Sequence, residues 1–341
     1  MPIVVNTNTS ATNASFNLSR ANDALRKSLG RLSSGKRITS PADDAGGLAV
    51  AYKLNSKSNR TEGVMQNVQN SLSLLQVQDS SLQTVGKILD RMAELRTMAQ
   101  DITKNSGDIE NYSKEFVELQ GQLQQIKNET FNGVSLFSNG NPNVTNDPTL
   151  NKGTNGLSIS GVTFHRFGRT LYTHPGGQTN DGSISINVTN LEYVLYAGTL
   201  DVSNDAYWDS TPNTDNVATG VNLGGIPTQE TQTNMTSDGG IGSDGFIRSI
   251  MAVSVGQFTA AIERLADVRA ENGAEQNRAL QVLDMLGTNL TNLEAAHGRI
   301  MDADIALEST RFAKYNVLVQ AGAAMTAQAN QLTNVALALL A

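Results

Sequence analysis

The sequence predicts a mostly α-helical protein with a β-rich insert, in which both terminal regions form long coiled-coil-like helical rods. Two observations carry this reading. Apolar residues recur every seven positions through both flanks, and Pro and Gly gather between them. Residues 140–245 hold five of the seven Pro and sixteen of the thirty Gly. They also carry ten acidic groups against three basic ones, so almost all of the net charge of −7 belongs to the middle.

Taken in order, residues 1–39 show a narrow stripe at Val4, Ala11, Leu18, Leu25 and Leu32. Residues 40–139 open with Ser40-Pro41 followed by Asp43 and Asp44, a helix start with a hydroxyl cap, a preset φ and acids at the positive dipole end. Val68, Leu75, Leu82 and Leu89 then repeat at seven, joined by Met65 and Leu72. Asn105-Ser-Gly107 breaks that helix, and Tyr112, Phe116, Leu119, Leu123 and Ile126 supply a returning stripe. Asn132-Gly133 between apolar residues predicts a hairpin turn.

In residues 140–245 the alternations Leu157, Ile159 and Ile184, Ile186, Val188 have the period of half-buried strands, which predicts a small β-rich domain. Residues 246–304 return to heptads: Met251, Phe258, Leu265, Asn272, Ala279, Leu286, Leu293 and Ile300, interleaved with Val255, Ile262, Arg269, Gln276, Leu283, Leu290 and His297. Fifty such residues would reach roughly 75 Å, which predicts a rod. Residues 305–341 end the chain with Leu318, Met325, Leu332 and Leu339 beside Ala321, Gln328 and Val335. Burying one narrow stripe against one other helix returns less than ordering the chain costs, so the two terminal stripes are expected to order against other chains.

Composition narrows the function. The absence of Cys removes disulfides, thiolate metal sites and Cys nucleophiles. The acidic balance, without a Lys/Arg block, argues against nucleic acid or an anionic membrane as partner. Met1 to Ser10 lacks the basic start, apolar stretch and cleavage site of a secretory signal. The charge-free stretch Tyr315–Ala341 carries Asn316, Gln320, Gln328, Asn330, Gln331 and Asn334, too many amides for a bilayer span.

No motif assembles chemistry, and neither cofactor nor metal is expected. Gly240-Ile-Gly242-Ser-Asp-Gly245 has dinucleotide-loop spacing without the preceding strand, and Gly46-Gly-Leu-Ala-Val-Ala-Tyr-Lys53 lacks the spacing and hydroxyl residue of a phosphate loop. His165, His174 and His297 fall outside metal-ligand spacing. Asp302 and Asp304 do not face one another on a helix, which points to capping or packing. Met92, Met98, Met251 and Met285 sit near helical stripes and are expected to fill the core. Nothing resembles a nucleophile, base and oxyanion hole together.

The residues as a set resemble bacterial flagellin. Ser28-Leu-Gly-Arg-Leu-Ser-Ser-Gly-Lys-Arg-Ile-Thr-Ser-Pro-Ala-Asp-Asp-Ala-Gly-Gly-Leu-Ala-Val-Ala51 is similar to that family's amino-terminal signature. Gly273-Ala-Glu-Gln-Asn-Arg278, Asn292-Leu-Glu-Ala-Ala-His-Gly-Arg-Ile-Met-Asp-Ala-Asp304, Gln320-Ala-Gly322 and Ala327-Gln-Ala-Asn-Gln331 are similar to its carboxyl-terminal signature. The likeness covers about 1–139 and 246–341, leaving the middle as the variable part.

The resemblance implies a structural subunit, without catalysis, that polymerises into the flagellar filament for motility. Residues 1–39 and 305–341 would form the inner core, 40–139 and 246–304 the outer core, and 140–245 a variable domain facing solvent. Val4, Ala11, Leu18, Leu25, Leu32, Leu318, Ala321, Met325, Gln328, Leu332, Val335 and Leu339 would pack the filament core. The implied partners are other copies of the chain, the flagellar cap and hook-junction proteins, and an export chaperone at the carboxyl-terminal region. Type III export as an unfolded chain to the extracellular flagellum is implied with them. Arg91, Glu94 and Leu95 match the first helix of the family's innate-immune receptor epitope. On the return helix Gln125-Ile126-Lys127-Asn128 replaces the usual Glu-Ile-Asp-Arg, so only the first-helix residues carry over. A hook-filament junction protein, or a flagellin with a functional insert in 140–245, remains the alternative. The Gln328-Ala-Asn-Gln331 run and Leu-rich end favour the filament, and the lack of H-E-x-x-H argues against a protease insert.

Overall fold

The computed structural model describes residues 8–138, 151–152, 157–159, 162–164, 166–196, 247 and 249–340, with backbone alone for 151–164 and 332–340. Six helices dominate: α1 (Thr9–Ser34), α2 (Ala45–Ala99), α3 (Ser106–Lys127), the short α4 (Leu191–Leu195), α5 (Val255–Met301) and α6 (Ile305–Leu340). Among the described residues seven strands lie between α3 and α5: β1 (Thr130–Phe131), β2 (Val134–Ser135), β3 (Asn151–Lys152), β4 (Leu157–Ile159), β5 (Val162–Phe164), β6 (Phe167–Tyr172) and β7 (Ser183–Val188), with α4 following β7. They pair antiparallel as β1-β2, β4-β5 and a three-stranded sheet β3-β6-β7. The chain divides into two compact units, Met1–Glu62 with Thr288–Ala341, and Gly63–Gly287.

Within Gly63–Gly287 the heptads set the interior. Val68, Leu75, Leu82 and Leu89 of α2 and Phe258, Leu265, Asn272, Ala279 and Leu286 of α5 are all buried. Between them the α5 positions Ile262, Arg269, Gln276 and Leu283 are half-buried. The two helices run antiparallel, since Gln78 meets Asn272 while Leu75 meets Gln276. Leu123 and Phe116 of α3 close the other side, Phe116 meeting Phe258 edge to face at 6.2 Å.

The seam is interrupted by one polar layer. The Gln78 side-chain amide donates to Thr189 Oγ1 at 2.9 Å and to the Leu136 carbonyl at 3.3 Å, while its oxygen accepts from Asn272 Nδ2 at 3.2 Å. Gln276 Nε2 donates to Asn272 Oδ1 at 2.6 Å. Beside this layer Arg269 makes a two-pronged pair with Asp79.

Local chemistry explains the breaks. Asn105 caps α3 in a reciprocal box with Asp108, its Oδ1 accepting at 2.9 Å and its N–H donating at 3.2 Å. Asn132 and Gly133 both have positive φ, 51° and 78°, the pair of left-handed residues that a tight turn between β1 and β2 requires. The Asp44 carboxylate, rather than the Ser40 hydroxyl, caps α2, accepting from Gly47 N at 2.8 Å. The helix therefore starts four residues beyond the Pro, because Ser40 to Asp43 close a turn of their own.

Part of the middle packs on the helices. Ile184, Ile186 and Leu171 of the sheet pack on Val68, Leu75, Ala279 and Leu286. Leu191, Val194 and Leu195 of α4 share one core with α2, α3 and α5. Strands β6 and β7 and helix α4 are thus joined to the helical interior. Met92 is fully buried as expected, whereas Met285 points outward, 51% exposed.

In the other unit, α1 and α6 run antiparallel, Asn8 donating to the Ala329 carbonyl at one end and Ser28 reaching Glu308 at the other. The turn after α1 is fixed by Gly35, φ 68°, whose carbonyl accepts from Ala303 N at 2.9 Å. Asp304 caps α6 through Leu307 N at 3.1 Å, the role that the spacing of Asp302 and Asp304 left open.

Candidate assembly surface

The α1 seam consists of Ala11, Ala14, Leu18, Ala21, Leu25, Ser28 and Leu32, partly or fully buried at alternating spacings of three and four. Four of the five stripe residues read from the sequence, Ala11, Leu18, Leu25 and Leu32, therefore line one face; Val4 lies outside the described residues. On α6 the facing seam is Glu308, Phe312, Tyr315, Val319, Gly322, Thr326 and Ala329. The α6 residues read from the sequence, Leu318, Ala321, Met325 and Gln328, sit one position away from this seam and are exposed in the single chain. The reason is steric. A Cβ at Gly322 would meet Leu18 Cδ1 at 3.3 Å and Leu18 Cα at 3.6 Å, so close approach selects small residues over bulky ones. Leu332, Val335 and Leu339 continue α6 as backbone only.

The seam also buries a charge. Ser28 Oγ donates to Glu308 Oε1 at 2.7 Å, and Arg311 and Arg31 approach Glu308 Oε2 at 3.3 and 3.8 Å. A buried carboxylate with this set of partners is tolerated, whereas an unpaired one would cost several kcal/mol. Nearby, the Lys27 ammonium at 2.7 Å and donors from Thr39 hold the Asp43 carboxyl down at about 2 against the effect of its burial.

Several large apolar side chains of the pair point away from its seam. Phe16 is 63% exposed, Val317 64% and Met325 65%, with Leu29, Ile305, Leu307 and Leu318 also exposed. A water-facing helix would place polar residues there.

The other sequence-predicted positions stand apart. Arg91 and Glu94 are exposed on α2, Arg91 paired with Glu94 at 3.1 Å and with Glu115 of α3 at 2.7 Å. Leu95, read with them as a receptor-facing residue, is fully buried among α2, α3 and α5, because it falls on the inner stripe of α2. His174 accepts from Gly176 N at 3.0 Å in the β6–β7 turn, and His297 lies half-buried on α5. His165 and Gly240–Gly245 fall outside the described residues. Among the described residues no cluster of three His, Asp or Glu could hold a metal, and no helix is long and apolar enough to cross a membrane.

Long antiparallel helices with a satisfied seam and outward apolar rows define a self-associating structural subunit. Comparison with known proteins gives the family. Residues 5–142 match the bacterial flagellin N-terminal helical region, and residues 255–340 match the bacterial flagellin C-terminal helical region. Flagellin from Bacillus subtilis strain 168 is 31% identical over 338 residues, covering 96% of each chain. Flagellin A from Vibrio anguillarum is 28% identical over 379 residues, covering all of both. The fold is similar to a solved structure titled as a putative flagellar hook-associated protein from Vibrio parahaemolyticus, at TM-score 0.51 and 16% identity over 76% of this chain and all of that one. The chain belongs to the bacterial flagellin family and is a structural subunit of the flagellar filament.

Proposed function

We propose that the exposed rows on α1 and α6 are the surfaces through which copies of this chain pack in the filament core. The observation that carries this is the outward placement of Phe16, Val317 and Met325 on helices whose own seam is already filled. Ala11, Leu18, Leu25 and Leu32 hold α1 to α6 inside one subunit, and Leu318, Ala321, Met325 and Gln328 face neighbouring subunits. Residues 1–39 and 305–341 then belong to the inner core, 40–139 and 246–304 to the outer core, and 140–245 carries the outer surface. The chain acts extracellularly after export in an unfolded state, and a chaperone covers the apolar rows of α6 beforehand. Cap and hook-junction proteins meet the ends of the polymer. Arg91 and Glu94 present the receptor-facing part of α2, without Leu95.

Met325→Asp tests the reading. Its exposure in the single chain means the folded monomer should keep its stability to within about 0.5 kcal/mol, as is usual for a surface substitution. Seeded polymerisation, followed by sedimentation and electron microscopy, should fail because the charge enters a dry interface. Wild-type filament yield from that variant would show that this row stays in water.

A further inference from the structure

The sheet is held to the helices by an acidic pair as well as by its apolar face. Strand β7 is the edge of the order β3-β6-β7, so alternate backbone N–H groups along it lack a strand partner. At Asn187 that N–H points to α5, donating to both oxygens of Glu275 at 3.0 and 3.1 Å. One turn earlier on α5, Glu271 accepts from Asn187 Nδ2 at 3.1 Å and from Arg166 Nη2 at 2.7 Å. Two carboxylates at i and i+4 thus grip one residue of the strand. Like charges at that spacing repel.

We infer that Glu271 and Glu275 form a proton-sensitive clamp on strand β7, so that the sheet seats firmly on α5 in mildly acidic solution and loosens as pH rises through neutrality. The groups facing Glu275 are Glu271 and Arg278 from α5, Arg166 from the segment before β6, and the Asn187 N–H from β7. On neighbouring surfaces Asp79 of α2 is held by Arg269, and Arg169 of β6 reaches Ser135. Burial is the largest influence on Glu275 and raises it from 4.5 to about 7; Glu271 pushes the same way, and the Asn187 N–H and both arginines oppose them. With the folded value raised, the seated state binds the proton more tightly than the open state. Stability of the seated state is therefore highest below the open-state value and falls as pH rises toward about 7. Neutral Glu275 still offers its carbonyl oxygen to Asn187. Ionised Glu275 instead leaves a second negative charge in a half-buried site.

Hydrogen exchange of the full-length monomer tests this, read by mass spectrometry on β6–β7 peptides and corrected for the intrinsic pH dependence of exchange. Peptides from the α2–α5 seam serve as internal reference. The opening equilibrium of β7 should rise by about tenfold at most between pH 6 and 8 while the seam peptides stay level. Glu275→Gln keeps the acceptor without the charge and should abolish that rise. Glu271→Gln, which leaves Glu275 in place, should shift the rise to lower pH. A wild-type β7 whose corrected opening is the same at pH 6 and 8 would overturn the clamp, as would a Glu275→Gln variant with the wild-type profile. Neither readout depends on polymerisation.

Discussion

The interior of Gly63–Gly287 and the α1–α6 seam are made from different materials. In the first, the large side chains Leu75, Leu82, Leu89, Phe116, Leu123 and Phe258 are sealed from water. In the second, the most buried seam positions are Ser28, Glu308 and Ala329, while Phe16, Val317 and Met325 face out. One region finishes its core within the chain. The other keeps the close helix–helix approach for itself and leaves part of its apolar area exposed in the single chain. Subunit folding and subunit association can therefore be altered separately.

The largest effect should come from replacing residues 145–240 with a short Gly/Ser linker. That removes Leu171, Ile184, Ile186, Leu191, Val194 and Leu195 from the helical interior. At about 1–3 kcal/mol for each buried side chain, the monomer should lose most of its stability in urea denaturation. An unchanged midpoint would mean that the sheet and α4 only rest on the helices. Next, Phe258→Ala should cost about 3–5 kcal/mol by emptying the position against Phe116, lowering the melting temperature of the monomer. A loss below 1 kcal/mol would contradict the sealed interior.

In the other region the effects shrink. Glu308→Ala strands the Ser28 hydroxyl and leaves Arg31 and Arg311 without their shared acceptor, at a cost of about 1–3 kcal/mol. Hydrogen exchange should quicken in α1 and α6 and stay level in α3. Smallest of all is Asp43. Its folded value, about 2, lies below the ordinary 3.8, so its contribution is present above pH 4 and lost as pH falls toward 2. Asp43→Asn should remove that acid-dependent loosening of the turn after α1, measured by exchange at Arg37 and Ile38. Identical acid profiles for the two chains would remove Lys27–Asp43 from the account.

This contrast also marks what the sequence could reveal. The period of seven located Val68, Leu75, Leu82 and Leu89 of α2 and Phe258, Leu265, Ala279 and Leu286 of α5, because bulk and burial coincide there, whereas the buried Val85, Ile88, Ala261 and Val268 lie outside the stripes as read. On α6 the same rule marked Leu318 and Met325, which are large and exposed in the single chain, and was silent on Gly322, Thr326 and Ala329, which are small and close to α1. Size does not mark the place where backbones approach closely. Leu95 was read through its neighbours Arg91 and Glu94, although its spacings of seven from Ile88 and three from Met92 place it on the inner face. The start of α2 was misplaced because Ser40-Pro41 can open a turn as readily as a helix. The docking of Ile184, Ile186 and Leu191 on helices about a hundred residues away leaves no local signal in the alternation that marks a strand.

The amide layer around Gln78 has a consequence for how the helices find their alignment. A seam of repeated Leu reads almost the same after a slip of seven residues, since Asn272 would be replaced opposite Gln78 by Leu265 or Ala279. Either substitute leaves the Gln78 oxygen unanswered in a dry place. The misaligned pair is thereby made costly at one address along an otherwise repetitive zipper. Because Thr189 and the Leu136 carbonyl complete the same layer, the correct address is recognised fully only after the intervening chain has folded back. A segment that lies between two helices in the chain can in this way still proofread their alignment.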